Sequence, residues 1–233
     1  EFLPASAGFL MKKELEALGE KLDNSARPFL ALLGGAKVSS KIGVIQKLLE
    51  KVDILLIGGG MSYTFIKAMG FEVGKSLLEE TMIGEANSIL LKAKEKGIEF
   101  ILPDDFVVAP EGKPGVPTQI VAWNQMPSEM GGFDIGPQTI EKFEKYIRKA
   151  KTIFWNGPLG LFEVEPFNKG TVEIARAVAR SGAISVVGGG DTIAAIKQVG
   201  VSEKISHIST GGGASLEFIE GKALPGVEAL LKK

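Results

Sequence analysis

Ser185-Val-Val-Gly-Gly-Gly-Asp-Thr192 reads as a short β-branched strand that runs into three glycines and opens a helix over Asp191–Gln198. Three consecutive glycines contribute nothing to strand packing. They let backbone N–H groups approach something bulky and negative. The helix that follows turns its unpaired N–H groups and the positive end of its dipole toward the same point. Asp191 at that mouth can cap the helix or hold a metal ion. A single stretch of this kind is an ordinary strand–turn–helix joint, but this chain repeats it. Leu33-Gly-Gly-Ala-Lys37, Ile57-Gly-Gly-Gly60, Trp155-Asn-Gly-Pro158 and Thr210-Gly-Gly-Gly213 each follow a short apolar run. In one parallel sheet, all five glycine-bearing strand ends open on the C-terminal edge, where open α/β sheets bind ligands. The pattern points to a phosphate-rich ligand.

The rest of the chain supplies the alternation that such a sheet needs. Strands are expected at Phe29–Leu33, Val52–Ile57, Ile98–Leu102, Thr152–Trp155, Ala183–Val187 and Ile205–Ser209. Continuous apolar runs of this length suit strands covered on both faces. Helices are expected at Phe9–Leu22, Val38–Lys51, Met61–Met69, Met82–Lys96, Ile140–Lys149 and Lys169–Ser181, with two short ones at Ala214–Glu220 and Gly226–Leu231. Phe106–Ala109 and Gln119–Ala122 read as a small hairpin across a Pro/Gly loop. The fold class is α/β: a doubly wound, three-layer, Rossmann-like sandwich on a mostly parallel sheet of about six strands. No linker divides it, and no internal repeat is present.

Composition excludes several classes. The chain has 233 residues, a net charge of −1 and no basic run, which argues against a nucleic-acid surface. No apolar stretch approaches membrane-spanning length and no signal peptide is visible, so a cytoplasmic location is the default expectation. Cysteine is absent, which removes disulfides and thiolate chemistry. The single histidine, His207, excludes a multi-histidine metal site and reads as structural within the apolar run Ile205–Ile208.

Four motifs carry chemistry. In Gly34-Gly-Ala-Lys-Val-Ser-Ser-Lys41, Lys37 and Lys41 are four residues apart and are expected on one face in the first turn of a helix. The dipole disfavours cations there, so two lysines imply an anion in front of them, clamped by two charges and the N–H groups of Gly35 and Ala36; the alternative is a solvated surface. Trp155-Asn-Gly-Pro-Leu-Gly-Leu-Phe-Glu163 combines the amide of Asn156, an apolar patch that includes Leu161, and a carboxylate. That set suits a purine packed on the apolar side chains and a ribose donating to Glu163; otherwise it is a turn with Glu163 in solvent. Gly189, Gly190, Asp191 and Thr192 would place one carboxylate on a Mg²⁺ ion whose remaining ligands are phosphate oxygens and water. Gly211, Gly212 and Gly213 aim a further helix mouth at the same edge, with donors fixed for a transferring phosphoryl group. Gly70-Phe-Glu-Val-Gly-Lys-Ser76 has three residues between its glycines where a P-loop has four, and it follows a helix, so it reads as a loop. No G-x-G-x-x-G fingerprint joins a strand to a helix.

Taken together these motifs closely resemble phosphoglycerate kinase, in its C-terminal, nucleotide-binding half. The matching stretches are Leu3–Met11, Gly34–Lys41, Ile57–Met61, Phe133-Asp-Ile-Gly-Pro137, Trp155–Glu163, Gly188–Thr192 and Ser209–Glu217. The resemblance implies that Lys37 contacts the transferring phosphoryl group and Lys41 the nucleotide α-phosphate. It implies that Gly35, Gly60 and Gly136 wall the adenine pocket and that Asn156 lies near the phosphates. Glu163 would serve the ribose, Asp191 the Mg²⁺, Thr192 the β-phosphate, and Gly211–Gly213 the reaction. The implied cofactor is Mg²⁺ bound with ADP or ATP. The implied reaction is phosphoryl transfer between 1,3-bisphosphoglycerate and ADP, which needs no general base because the acceptor in reverse is already a carboxylate; positioning and charge neutralisation suffice.

The chain departs from the family pattern at three points. Ser40 stands where Asp is usual. Phe133 stands where Leu is usual, beside Gly131-Gly132. The part of the family that binds 1,3-bisphosphoglycerate and 3-phosphoglycerate, the N-terminal domain, has no counterpart in the sequence. Residues 1–22 are expected as an interdomain-type helix and linker, and 23–233 as the nucleotide-binding domain. The expectation is nucleotide binding with little or no turnover by this chain alone. The family is monomeric. The alternatives are a folding fragment without nucleotide binding, self-associating through an apolar surface at Phe2–Met11, and a nicotinamide-dependent oxidoreductase on a similar sheet.

Overall fold

The computed structural model describes residues 7–231. Expectations for Glu1–Ser6, including the first four residues of the Leu3–Met11 match, lie outside the described residues. The chain opens with helix α1 (Phe9–Leu15), a π-helical turn (Glu16–Glu20) and a short helix α2 (Lys21–Asp23), then enters strand β1 (Phe29–Leu33). Helix α3 (Ile42–Leu48), strand β2 (Ile54–Ile57), helix α4 (Met61–Ala68), helix α5 (Ile83–Glu95) and strand β3 (Glu99–Ile101) follow. A three-strand insert, β4 (Asp105–Ala109), β5 (Gln119–Ala122) and β6 (Gly131–Ile135), precedes helix α6 (Pro137–Lys149). The second half alternates strand β7 (Thr152–Asn156), helix α7 (Lys169–Arg180), strand β8 (Ile184–Gly188), helix α8 (Gly190–Val199) and strand β9 (His207–Ile208). Helices α9 (Gly213–Ile219) and α10 (Pro225–Leu231) close the chain.

Six strands form one parallel sheet in the order β3-β2-β1-β7-β8-β9. The chain works outward from β1 to one edge, then returns to the middle and works outward to the other. That is the doubly wound order, and its switch point falls between β1 and β7. Phe29–Leu33 and Thr152–Asn156 are buried throughout because helices cover both faces.

Alternate side chains feed two different cores. Phe29, Ala31, Leu33, Leu55, Ile57, Phe154 and Val186 face α3, α4, α5 and α9. Leu30, Leu32, Ile54, Leu56, Ile153, Trp155 and Val187 face α6, α7 and α8. Each of the larger aliphatic and phenyl side chains among them stabilises the fold by roughly 1.5–3 kcal/mol. Leu18 and Leu22 join the first core, so the N-terminal helical segment is packed on the α/β unit. Phe9 and Leu10 are exposed.

The expected hairpin β4–β5 is present, and a third strand, β6, pairs with the other edge of β4. A β-bulge at Val107/Val108 accommodates it. This small sheet packs on α4 through Tyr63, Ile66, Phe106 and Val108 and adds a side wall at the C-terminal edge of the main sheet.

Two local expectations are corrected. Val38–Lys41 is not helical: α3 begins at Ile42, with Lys41 at its N-cap. The first turn is diverted because Ser39 gives its N–H and its hydroxyl to the Glu79 carboxylate, at 3.1 and 2.5 Å. Lys37 and Lys41 therefore do not stack on one helix face. Gly136 is buried at the start of α6, where a Cβ would collide with the Asp105 carboxylate. Asp105 reaches across from β4 to accept from the N–H groups of Gln138 and Thr139, at 3.0 and 2.8 Å, and so caps α6 from a distance.

Candidate functional site

The five glycine-bearing strand ends meet at the C-terminal edge of the sheet, and two adjoining cavities open there. The larger, about 330 Å³, is bordered by Gly59, Gly60, Tyr63, Leu77, Phe133 and Leu161, with Lys75, Ser76, Gly132 and Glu163 on its rim. The smaller, about 290 Å³, is bordered by Lys41, Asn156, Asp191, Thr192, Gly212 and Gly213. Gly35, Ala36, Pro158 and Asp191 line both. One cavity is built of aromatic and aliphatic side chains, the other of polar groups and helix mouths.

Close backbone approach at the switch point makes this shape. Gly34 N–H donates to Asn156 O at 2.9 Å and Gly35 N–H to Pro158 O at 2.8 Å, knitting the ends of β1 and β7. A Cβ at Gly34 would overlap the Pro158 carbonyl and lie 2.7 Å from that of Gly157. Gly34→Ala is expected to lose about 1–3 kcal/mol of stability, since only backbone lies in the way. Urea unfolding of the variant checks this, and an unchanged midpoint would contradict it.

The centre of the smaller cavity is a buried pair. The Lys41 ammonium, 9% exposed, donates to Asn156 Oδ1. Burial pushes the Lys41 ammonium down from the ordinary lysine range, and the charge of Asp191 pulls it part of the way back. Asn156 Nδ2 is buried and has no partner. An orphaned donor costs about 1–3 kcal/mol, and with a desolvated ammonium beside it the site is short of negative charge. Thr192 Oγ1 accepts from Gly157 N–H at 2.7 Å, tying α8 to the β7 loop. Gly189, at φ 92°, turns the chain from β8 into α8. Asp191 is exposed in the first turn of α8.

Behind the wall of the larger cavity, against Gly160, stands a buried acidic side chain. Asp134, from β6, is 1% exposed. It accepts from its neighbour Ile135 N–H at 2.9 Å and from Gly170 N–H at the start of α7 at 2.7 Å. Burial pushes the Asp134 carboxyl up to about 8, against the pull of these two N–H groups and of Lys169. Its neighbour Phe133 packs on Phe167 with ring centroids 5.1 Å apart.

The expected site residues divide as follows. Gly35, Ala36, Lys41, Gly60, Asn156, Leu161, Glu163, Asp191, Thr192, Gly189, Gly190, Gly212 and Gly213 all border one or both cavities. Lys37 is exposed on the loop before α3 and borders neither. Gly211 borders instead a separate apolar cavity of about 240 Å³ between α1 and α9. Gly136 lies beneath α6, and Gly132 is the glycine of that stretch that borders the larger cavity, with the Tyr63 hydroxyl filling the place of a Cβ. Sequence reasoning also missed Tyr63, Lys75, Ser76 and Leu77. His207 Nε2 lies 3.3 Å from Glu14 Oε2, a contact between β9 and α1 away from both cavities. Burial pushes the Glu14 carboxyl up, but hydrogen bonds from Thr210 N–H, Ser209, His207 and the Thr210 hydroxyl outweigh it and hold it below the ordinary range.

A doubly wound sheet with adjoining apolar and polar cavities at its switch point defines the class: open α/β proteins whose candidate site lies at the carboxyl edge of the strands. The family model for phosphoglycerate kinase matches residues 1–222, and the chain belongs to that family. It is 54% identical over 230 residues to the phosphoglycerate kinase of Finegoldia magna, covering 99% of this chain and 58% of that protein. It is 53% identical over 232 residues to that of Moorella thermoacetica, covering 100% and 59%. The solved phosphoglycerate kinase of Coxiella burnetii superposes with a TM-score of 0.94 at 44% identity, covering 97% of this chain and 59% of that one. The chain thus spans less than two thirds of the relatives that it matches. The family assignment replaces the oxidoreductase alternative.

Among the described residues no three carboxylate or histidine side chains gather as a self-sufficient metal site, and no helix is long and apolar enough to cross a membrane. One exposed carboxylate beside an anion-seeking cavity suits a Mg²⁺ ion that brings phosphate and water as its other ligands. The orphaned Asn156 Nδ2 and the desolvated Lys41 fit the phosphates.

Proposed function

We propose that this chain is the nucleotide-binding unit of a phosphoglycerate kinase, taking Mg²⁺ with ADP or ATP for phosphoryl transfer between 1,3-bisphosphoglycerate and ADP. The observation that carries the reading is the buried Lys41–Asn156 pair, which leaves a free amide donor and a strained positive charge facing a polar cavity that adjoins an apolar one. The larger cavity takes the base, with Gly60, Leu77, Gly132, Phe133 and Leu161 as walls and Glu163 accepting from the ribose. The smaller takes the phosphates. Lys41 and Asn156 Nδ2 donate to them, joined by the N–H groups at the mouths of α8 and α9. Asp191 supplies a carboxylate to Mg²⁺, whose charge offsets that of the phosphates when it is bound. Lys37, exposed on the loop before α3 and outside both cavities, would have to reach over to the group being transferred. Catalysis of this kind is positioning and charge neutralisation, and it asks for no general base.

The segment 1–22 serves in this reading to join the nucleotide unit to a phosphoglycerate-binding one. The chain alone is expected to bind nucleotide with little or no turnover, as a protein of the cytoplasm. Saturating Mg²⁺–ADP should stabilise it by about 2.7 kcal/mol at one hundred times Kd; a thermal midpoint that ADP does not move would contradict the reading. Replacing Asp191 by Asn should leave ADP binding without Mg²⁺ within about twofold and remove most of the gain that Mg²⁺ confers. Titrations with and without the ion check this, and an undiminished gain would take Asp191 off the metal.

A further inference from the structure

Resting on that nucleotide reading, we infer that Glu79 is a positioning residue that ties the lysine-bearing loop of the smaller cavity to the wall of the larger one. The segment Lys75–Glu79 runs along the larger cavity, which Lys75, Ser76 and Leu77 border. It is pinned to the small sheet at its start: Lys75 N–H donates to Met130 O at 2.8 Å, and the buried Ser76 Oγ accepts from Gly132 N–H at 2.9 Å. Leu77 reaches within 3.1 Å of where a Cβ on Gly60 would stand. Two residues on, the Glu79 carboxylate accepts the Ser39 hydroxyl at 2.5 Å and the Ser39 N–H at 3.1 Å. Glu79 N–H in turn donates to the buried Thr64 Oγ1 on α4 at 3.3 Å.

Ser39 is the bend of the loop that carries Lys37 and Lys41. Within that loop the Ser40 hydroxyl donates to Lys37 O at 2.9 Å and Lys41 N–H donates to Val38 O at 2.8 Å. The turn holds its own ends together, and what fixes it to the rest of the molecule at Ser39 is Glu79. A carboxylate suits the task because it offers two acceptors to the two donors of one serine. Burial pushes the Glu79 carboxyl up, but bonds from the Ser39 side chain and N–H, from Val38 N–H, and the charge of Lys37 outweigh it and keep it ionised. A base in the larger cavity therefore presses on the same segment that sets the lysine loop. The contribution of the phosphates to affinity depends on Glu79, and that of the base does not.

The test compares adenosine with ADP by calorimetric titration of the wild type, Glu79→Ala and Glu79→Gln. Adenosine affinity is expected within about twofold across all three. ADP is expected about tenfold weaker for Glu79→Ala and largely restored by Glu79→Gln, whose amide oxygen accepts from Ser39 N–H while its NH₂ donates to the Ser39 hydroxyl. A general structural defect would move both ligands together. ADP affinity unchanged in Glu79→Ala, or not restored by Glu79→Gln, would overturn the inference. Amide hydrogen exchange at Ser39–Lys41 in the ligand-free protein reads the tether directly: faster exchange in Glu79→Ala supports it and unchanged protection overturns it. Failure of the wild type to bind ADP would contradict the nucleotide reading, whereas the exchange result decides the tether either way.

Discussion

Replacing Lys41 by methionine should weaken ADP binding by about 100-fold, close to 2.7 kcal/mol, while leaving folding stability at neutral pH within about 1 kcal/mol of the wild type. The two halves of this result have one cause. Lys41 is buried beside a single neutral partner, the Asn156 oxygen, so its charge is poorly solvated until an anion arrives. Methionine has similar length and no charge, which relieves the desolvation of Lys41 and sets it against the lost bond to Asn156. Nothing replaces the charge when ADP binds. The pH dependence follows from the lowered proton affinity of Lys41. The folded, ligand-free protein gives up this proton below the ordinary lysine value of 10.5, whereas the unfolded chain keeps it. Stability contributed at this site therefore rises with pH across that window. ADP affinity falls across the same window, because the phosphates bind the protonated form. Calorimetric titration and urea unfolding of both proteins over alkaline pH measure the two trends. A variant that binds ADP as well as the wild type would remove Lys41 from the site.

Asp134→Asn should change the stability profile at acid to neutral pH. The Asp134 carboxyl is raised from the model-peptide value of 3.8 to about 8, chiefly by burial. The folded state therefore binds a proton that the unfolded chain releases between those values. Sign follows directly: the stabilisation is complete below 3.8 and is lost as pH rises through about 8. Asparagine does not titrate, so the variant gains on the wild type by several kcal/mol across this window. It starts lower, because its NH₂ faces one of the two N–H donors, Ile135 and Gly170, where Asp134 presents an oxygen to each. Urea unfolding at intervals from pH 4 to 9 would show the two profiles converging. Parallel profiles would mean that Asp134 is ionised throughout.

The parts of this molecule legible in the sequence are those set by local chemistry. Leu33-Gly34, Ile57-Gly58 and Val187-Gly188 announce strand ends because glycine is needed where the next strand or a helix mouth comes close. Alternating strands and helices then leave a parallel, doubly wound sheet as the economical arrangement. What stayed hidden depends on groups distant in sequence. Lys37 and Lys41 have helical spacing, but Ser39 answers to Glu79, 40 residues away, and the helix starts late. Gly136 sits in a stretch that does reach the site, yet its own place is dictated by Asp105, 31 residues upstream; Gly132, four residues earlier, is the glycine that borders the cavity. Strand β6 begins with two glycines, which carry no strand signal, and only pairing with β4 orders it. Tyr63, Ser76 and Leu77 enter the cavity wall through the packing of the small sheet on α4, and no local pattern marks them.

The central claim is that the edge between β1 and β7 binds a nucleotide with Mg²⁺. Calorimetric titration of the chain with ADP, with and without Mg²⁺, tests it most directly. The account predicts saturable one-site binding that Mg²⁺ strengthens and that Lys41→Met all but abolishes. Absence of heat at any ADP concentration from a folded protein, or binding indifferent to Lys41, would contradict it.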